Sequence, residues 1–486
     1  MESQVEFVTV IGLEVHAQVS THSKMFCGCP ADYFDAPPNT HVCPVCLGTP
    51  GVLPVINRAA VEKTVVTGMA LHSEIQRYSK FDRKNYIYPD LMKGYQVSQY
   101  DLPIALGGWI DIDVDGDIRR VNITRVHLEE DTARLSHRRD ATGEYSLVDV
   151  NRSGVPLMEI VGEPDLTSPR EAREYLVAMR RILRFIGASD GNMEQGSFRC
   201  DANISQRSVD GSIVGPKVEI KNLNSFRSVE RALEYEVSRQ RAALERGDTL
   251  VQETRGWVDD QGITVSQRSK EMAHDYRYFP EPDLPPVFVS EALQEQLRRG
   301  MAELPDARRG RFVADLGLTS SDAALLTDEP TFANYFETAL ALSTAPPRDV
   351  VRWMLVDLFA LARTVGGFTS VRVTPQQLAE IASMVHAGDI TQATGKVLLV
   401  EAQDSDTSPR TVVVERGLAQ QSDDAVIRDA VRAAIAANPT ALADYLGGKS
   451  AAVGFLIGQT MKALRGQGNP TVVRSIMTAE LEAHRS

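Results

Sequence analysis

Four prolines within residues 279–286 (FPEPDLPP) constrain this chain more tightly than any other feature. Proline has no N–H and fixes φ at about −65°, so such a run enters neither a helix interior nor the middle of a sheet. It reads as a stiff, extended boundary. Before it, residues 1–290 mix short alternating strands with Gly/Pro turns and two well-marked helices. After it, residues 291–403 follow a helical pattern rich in Ala, Leu, Arg and Glu, and a polar stretch at 404–410 opens a second helical segment, 404–486. The expected fold class is α+β, one mixed region followed by two helical ones. Three parts also suit 486 residues at roughly 150 per domain.

Charge narrows the function. Lys and Arg number 52 against 65 Asp and Glu, a net charge of −13. That excludes a uniformly basic nucleic-acid binder but leaves room for a local basic patch. No apolar run approaches the roughly 20 residues that span a bilayer. The N-terminus, MESQVEFVTVIGLEVH, has no signal-peptide pattern. A cytoplasmic protein is expected.

Four of the five cysteines form two short pairs, Cys27-x-Cys29 and Cys43-Pro-Val-Cys46, around a Pro-containing loop. In a reducing compartment such pairs are metal ligands more often than disulfides. Four thiolates make a closed tetrahedral zinc site, structural and without an open position for chemistry. The alternative is four reduced thiols in a loop.

Period-two alternation sends successive side chains to opposite faces of a sheet. In residues 7–19 the odd positions are Phe, Thr, Ile, Leu, Val, Ala and Val, which leaves Glu14 and His16 together on the other face. In FRCDANI (198–204) Arg199, Asp201 and Asn203 oppose Phe198, Cys200, Ala202 and Ile204, so Cys200 reads as a small buried hydrophobe. Lys217, Glu219 and Lys221 oppose Val218 and Ile220, and the run TRVHLEED (124–131) ends a strand in Glu129, Glu130 and Asp131. Any one of these faces could simply be solvated. Together they supply the oxygen ligands and occasional imidazole that Mg²⁺ accepts, beside cations, which is a setting for phosphoryl transfer.

The segment SKFDRKNYIYPD (79–90) packs Lys80, Arg83 and Lys84 among aromatics. Composition leaves it open between a structural loop and a phosphate contact. GGKS (447–450) mimics the end of a P-loop, but Ala443 stands where a glycine is required and no strand precedes it. No G-x-S-x-G elbow or dinucleotide fingerprint is present. In residues 446–486 the basic side chains Lys449, Lys462, Arg465, Arg474 and Arg485 face only Glu480 and Glu482. Against an acidic whole, Lys449, Lys462 and Arg465 make this tail a local positive patch that suits phosphates, with a solvated helix face as the alternative.

The blocks IGLEVHAQ (11–18), KFDRKNYIYPDLMKGYQVSQYD (80–101), HLEEDTAR (127–134), DVNRSGVPLMEIV (149–161), RCDANIS (199–205), EIKNLNSF (219–226), DYRYFPEPDLPP (275–286) and GKSAAVGFLIGQTMKALRGQGNP (448–470) resemble the B subunit of aspartyl/glutamyl-tRNA amidotransferases. The resemblance implies a glutamine-synthetase-like cradle, a helical domain and a small YqeY-like helical tail. It implies a heterotrimer with an amidase A subunit and a small C subunit. It further implies that mischarged Glu-tRNA(Gln) or Asp-tRNA(Asn) is activated by ATP-dependent phosphorylation of its side-chain carboxylate, then amidated with ammonia. By the same resemblance Glu14, His16, Glu129, Glu130, Asp201 and Glu219 are magnesium and catalytic residues. Lys84, with Arg83, would contact phosphate or the tRNA 3′ end. A zinc-ribbon RNA-binding subunit without catalysis is the main rival; a zinc hydrolase fits an all-thiolate site poorly.

Overall fold

A computed structural model describes residues 6–141, 143–268, 276–420, 423–464 and 466–484. The chain is α+β and falls into two compact units, Met1–Pro305 and Asp306–Ser486.

The first unit is built on a ten-stranded sheet. Its order is Ile263–Arg268, Glu253–Val258, Val218–Lys221, Phe198–Ser208, Phe7–Gln18, Pro156–Gly162, Asp117–Glu130, Ala105–Leu106 and Glu74–Ile75, with Trp109–Val114 also paired to Asp117–Glu130. All pairings are antiparallel except that of Val218–Lys221 with Glu253–Val258. The expected alternation holds in the centre. Ile11, Leu13, Val15 and Ala17 are buried on one face with Phe198, Cys200, Ala202, Ile204, Val218 and Ile220. The helices Pro169–Phe185 and Phe226–Glu245 belong to the same unit, and their Leu176, Met179, Val229 and Leu233 join that core. Both start as the sequence dictates. Ser168 accepts from the Glu171 N–H with Pro169 in the first turn, and Ser225 accepts from the Ser228 N–H. The Glu171 carboxylate turns to the Thr167 N–H instead of closing a capping box on Ser168.

The proline-rich run is extended at its two ends but turns between Glu281 and Leu284, and it is bound into the first unit. Phe279–Pro280 pairs with Asp82 and Arg83, and Val287–Phe288 pairs with Tyr78 and Ser79. Arg83 grips the buried Glu281 through two 2.7 Å hydrogen bonds. The helix Glu291–Gly300 then lays Leu293 and Leu297 on the same core, within a unit that ends at Pro305.

The second unit is helical. Its C-terminal part has its own core, with Ile427, Val431, Leu456, Val473, Met477 and Leu481. GGKS forms the turn between helices Pro439–Leu446 and Ala451–Ala463, where Lys449 pairs with Asp444 at 2.9 Å. It is no phosphate loop.

Candidate active site

Strand register places the polar side chains in rows. His16 lies opposite Arg199 on one side and Glu159 on the other, and Glu159 lies opposite His127. The next row runs Asp201, Glu14, Val161 and Arg125, with Lys221 reaching Asp201 from the neighbouring strand. Paired side chains on one face of a sheet stand about 5 Å apart at Cβ, so the rows form one continuous charged surface. Its other face is the apolar core.

Glu129 stands opposite Leu157, one row along on the same face, and one ligand atom each from His16, Glu129 and Glu159 lies within 4.8 Å of the others, a group that could hold a metal ion. His16 Nε2 is 3.4 Å from Glu159 Oε2 and 4.0 Å from Glu129 Oε1. His127 Nε2 stands 3.3 Å from Glu159 and 3.7 Å from Glu129. Burial alone would lower both imidazoles. The Glu159 and Glu129 carboxylates outweigh it, so His16 is raised and His127 is pushed up to about 9. Burial pushes the two carboxyls up in turn. The His127 hydrogen bond, with Lys84, overcomes this for Glu129, and the His127 and His16 contacts do so for Glu159, leaving both below the usual carboxylate range.

Lys84 comes from the short strand Asp82–Asn85. Its Nζ lies 4.9 Å from the centre of the Tyr276 ring and 5.9 Å from that of Tyr86. Burial works against its charge, but Glu129 and the neighbouring tyrosines and Glu159 hold it above the ordinary lysine value. Arg83, one residue earlier, is committed to Glu281 and stacks over Tyr95. Adjacent residues of a strand cannot share a face; Arg83 is not brought to Lys84's side.

The same reasoning separates Glu130 from Glu129. Glu130 accepts from the Val97 N–H at 3.0 Å and pairs with Lys93. It supports the sheet from behind. Glu14 and Asp201 sit one row from His16: Glu14 accepts from Asn203 Nδ2 and Asp201 from Lys221 Nζ, both at 2.8 Å. Glu219 accepts from Thr254 Oγ1 at 2.8 Å and lies 3.8 Å from Lys221. The expected ligands therefore divide. His16 and Glu129 meet, Glu14, Asp201 and Glu219 form an adjoining group, and Glu130 is elsewhere. Sequence reasoning does not single out Glu159 or His127. The available signal for Glu159 is a single acid inside the apolar run VPLMEIVG, a buried-polar anomaly.

Asp131 anchors the end of the face. It accepts from Gln18 Nε2 at 2.7 Å and Arg199 Nη2 at 2.8 Å, with Arg152 Nε 3.7 Å away.

The four clustered cysteines also converge: their sulfurs lie within 4.8 Å of one another and could hold a metal ion. The Cys43 N–H points at Cys46 Sγ at 3.1 Å. A hydrogen bond from Cys27 and then the Cys43 N–H and the Lys24 charge pull the Cys46 thiol down to about 4, against the effect of burial. Cys200 is buried, and burial pushes its thiol well up; it is no nucleophile. In the tail, Lys462 is exposed on helix Ala451–Ala463, while Arg465 lies outside the described residues.

A sheet that lays carboxylates, imidazoles and lysines on one face over an apolar core is the scaffold of a catalytic domain, and the comparisons agree. Residues 9–295 match the GatB/GatE catalytic domain and residues 334–481 the GatB domain. The chain is 60% identical over 478 residues to the B subunit of the aspartyl/glutamyl-tRNA(Asn/Gln) amidotransferase of Thermomicrobium roseum, covering 98% of this chain and 99% of that protein. Proteins of the same name from Dehalococcoides mccartyi and a Roseiflexus species are 49% and 48% identical, each over 98% of this chain and 99% and 98% of their own lengths. The chain belongs to the family of amidotransferase B subunits. No helix among the described residues is long and apolar enough to cross a membrane.

Proposed function

We propose that this chain activates and amidates the side-chain carboxylate of mischarged Glu-tRNA(Gln), Asp-tRNA(Asn) or both, in the cytoplasm, using ATP. Its partners are an amidase A subunit, which releases ammonia from glutamine, and a small C subunit. The names of its relatives support the tRNA-linked amidation and the multi-subunit assembly. The observation that carries the ATP chemistry is the convergence of His16, Glu129 and Glu159 beside Lys84.

The donors fit magnesium. They are carboxylate oxygens with one imidazole, and Asn203 Oδ1, on the same face, is buried without a hydrogen-bond partner. Bound there, the ion would neutralise nucleotide phosphates as the phosphoryl group moves. The substrate carboxylate is ionised at neutral pH and needs no general base. Lys84 supplies a fixed cation for the transferring group, desolvated enough for its charge to count. Glu14, Asp201, Glu219 and Lys221 form the adjoining part of the site and orient a second ligand group. Four thiols suit zinc in a structural role, with S···S spacings of about 4 Å. The helical segment from 404 onward grips the tRNA body through Lys449, Lys462 and Arg465.

The test is ATP consumption that depends on mischarged tRNA, measured on the assembled complex. Glu129→Gln should abolish it while basal glutaminase activity of the partner persists. If the variant consumes ATP at the original rate, the chain is a zinc-ribbon RNA-binding subunit without catalysis of its own.

A further inference from the structure

Lys24 is 1% exposed, among the largest fully buried side chains of the molecule. Its Nζ donates to the carbonyl oxygens of His41 at 2.8 Å and Val150 at 3.3 Å. It makes no ion pair with a carboxylate among the described residues. Glu130, whose Oε2 would lie 3.9 Å from a Cβ built at Gly154, is committed to Lys93 and the Val97 N–H. A buried ammonium facing only neutral carbonyls is costly, by several kcal/mol even after relaxation. Such groups persist where an anion compensates them.

Among the described residues, the anionic group that the surroundings can supply is the cysteine cluster. Gly154 has no side chain, and a Cβ built there would lie 3.5 Å from Lys24 Cδ and 3.7 Å from Cys46 Cβ. The Lys24 backbone N–H is bonded to the Cys29 carbonyl at 2.9 Å, which ties the same residue to the other cysteine pair. Four thiolates around a divalent ion carry a net charge of two minus, in a half-buried loop.

We infer that Lys24 is the built-in counter-charge of a tetrathiolate metal centre and sets its metal affinity without touching the ion. This rests on the reading of the four cysteines as a zinc site. Groups outside the ligand set that orient or compensate the ligands are typically worth 10–100-fold in metal affinity. Lys24 is a positioning residue in this sense.

The full-length chain and Lys24→Met, which keeps the volume of the side chain and removes its charge, are compared by zinc competition with a chromogenic chelator. The expected result is a zinc dissociation constant raised roughly 10–100-fold in the variant. After cobalt(II) substitution both proteins should keep tetrahedral ligand-field bands. The thiolate-to-cobalt charge-transfer band should move to lower energy in the variant, because the sulfur electrons lose a nearby positive charge. Equal zinc affinity and an unmoved band would overturn the inference while leaving the zinc site standing. Loss of the tetrahedral spectrum, with metal-free and metal-loaded chains destabilised alike, would also overturn it, since Lys24 would then be only a staple for the loop. If the unaltered chain takes up no zinc in the presence of excess metal, the zinc reading itself falls, and the inference with it.

Discussion

Replacing Glu236 by Gln tests how the outer sheet is held. The Glu236 carboxylate is 0% exposed. It accepts two hydrogen bonds from Arg239, at 2.9 and 2.8 Å, one from Gln240 at 2.9 Å and one from Thr264, and Arg255 Nε lies 3.2 Å away. Removing one partner of a buried pair costs roughly 3–5 kcal/mol. Gln keeps the shape and some of the bonds, and Arg255 retains Glu253, so the lower end, about 3 kcal/mol, is expected. Burial pushes this carboxyl up, but the bonds from Arg239, Thr264 and Gln240 hold it below the usual value. A group depressed in the folded state stabilises fully above its unfolded pKa of about 4.3, and the contribution is lost as pH falls through the folded value. Urea unfolding of the first unit, followed by Trp109 and Trp257 fluorescence, should therefore show a gap of about 3 kcal/mol at pH 7 that closes below about pH 4. A gap under about 1 kcal/mol at pH 7, or one that stays constant down to about pH 3, would refute the reasoning.

Three further outcomes follow from other places in the fold. Gly395→Ala puts a Cβ 2.8 Å from Trp353 Cη2 and 3.0 Å from Val385 Cγ2; the overpacking, roughly 1–3 kcal/mol, exceeds the roughly 1 kcal/mol gained in helix propensity, and Trp353 fluorescence should report a net loss of stability. Cys43→Ser should release most of the bound zinc, read by elemental analysis, and should lower the melting temperature of the metal-loaded chain toward that of the chelated one. Lys462→Ala should weaken tRNA binding about equally for all sequences and reduce the slope of log affinity against log salt by about 1; an unchanged slope would remove this residue from the RNA contact.

The apolar half of the central strands is legible in the sequence because its cause is local. Alternation alone buries Ile11, Leu13, Val15 and Ala17 and projects Glu14 and His16 the other way. What alternation does not contain is register across strands far apart in sequence. Register decides that His16 meets Glu159 rather than Asp201. Glu129 and Glu130 look equivalent because they are neighbours in sequence, which on a strand is the reason they diverge. The proline run avoids helix and central strand as its composition requires, although it turns at Glu281–Leu284 rather than running straight. Its docking onto Asp82 and Arg83 depends on the Arg83–Glu281 pair, a contact between residues 198 positions apart that no local pattern announces. The cysteine pairs are legible in full, since their spacing already limits where four sulfurs can meet.

The strand Phe7–Gln18 occupies the centre of the sheet and takes its two neighbours from Pro156–Gly162 and Phe198–Ser208. It is made before every other described strand of that sheet, yet is among the last to be enclosed. At roughly 5–20 residues per second, about 10–40 s separate its emergence from that of its second partner. Until Pro156–Gly162 emerges, which is most of that interval, both hydrogen-bonding edges and the segment VTVIGLEV are uncovered, an apolar β-rich stretch of the kind that self-associates. The gap in sequence that builds the site is also a delay in time. It makes the nascent chain dependent on whatever shields that stretch until the sheet can close around it.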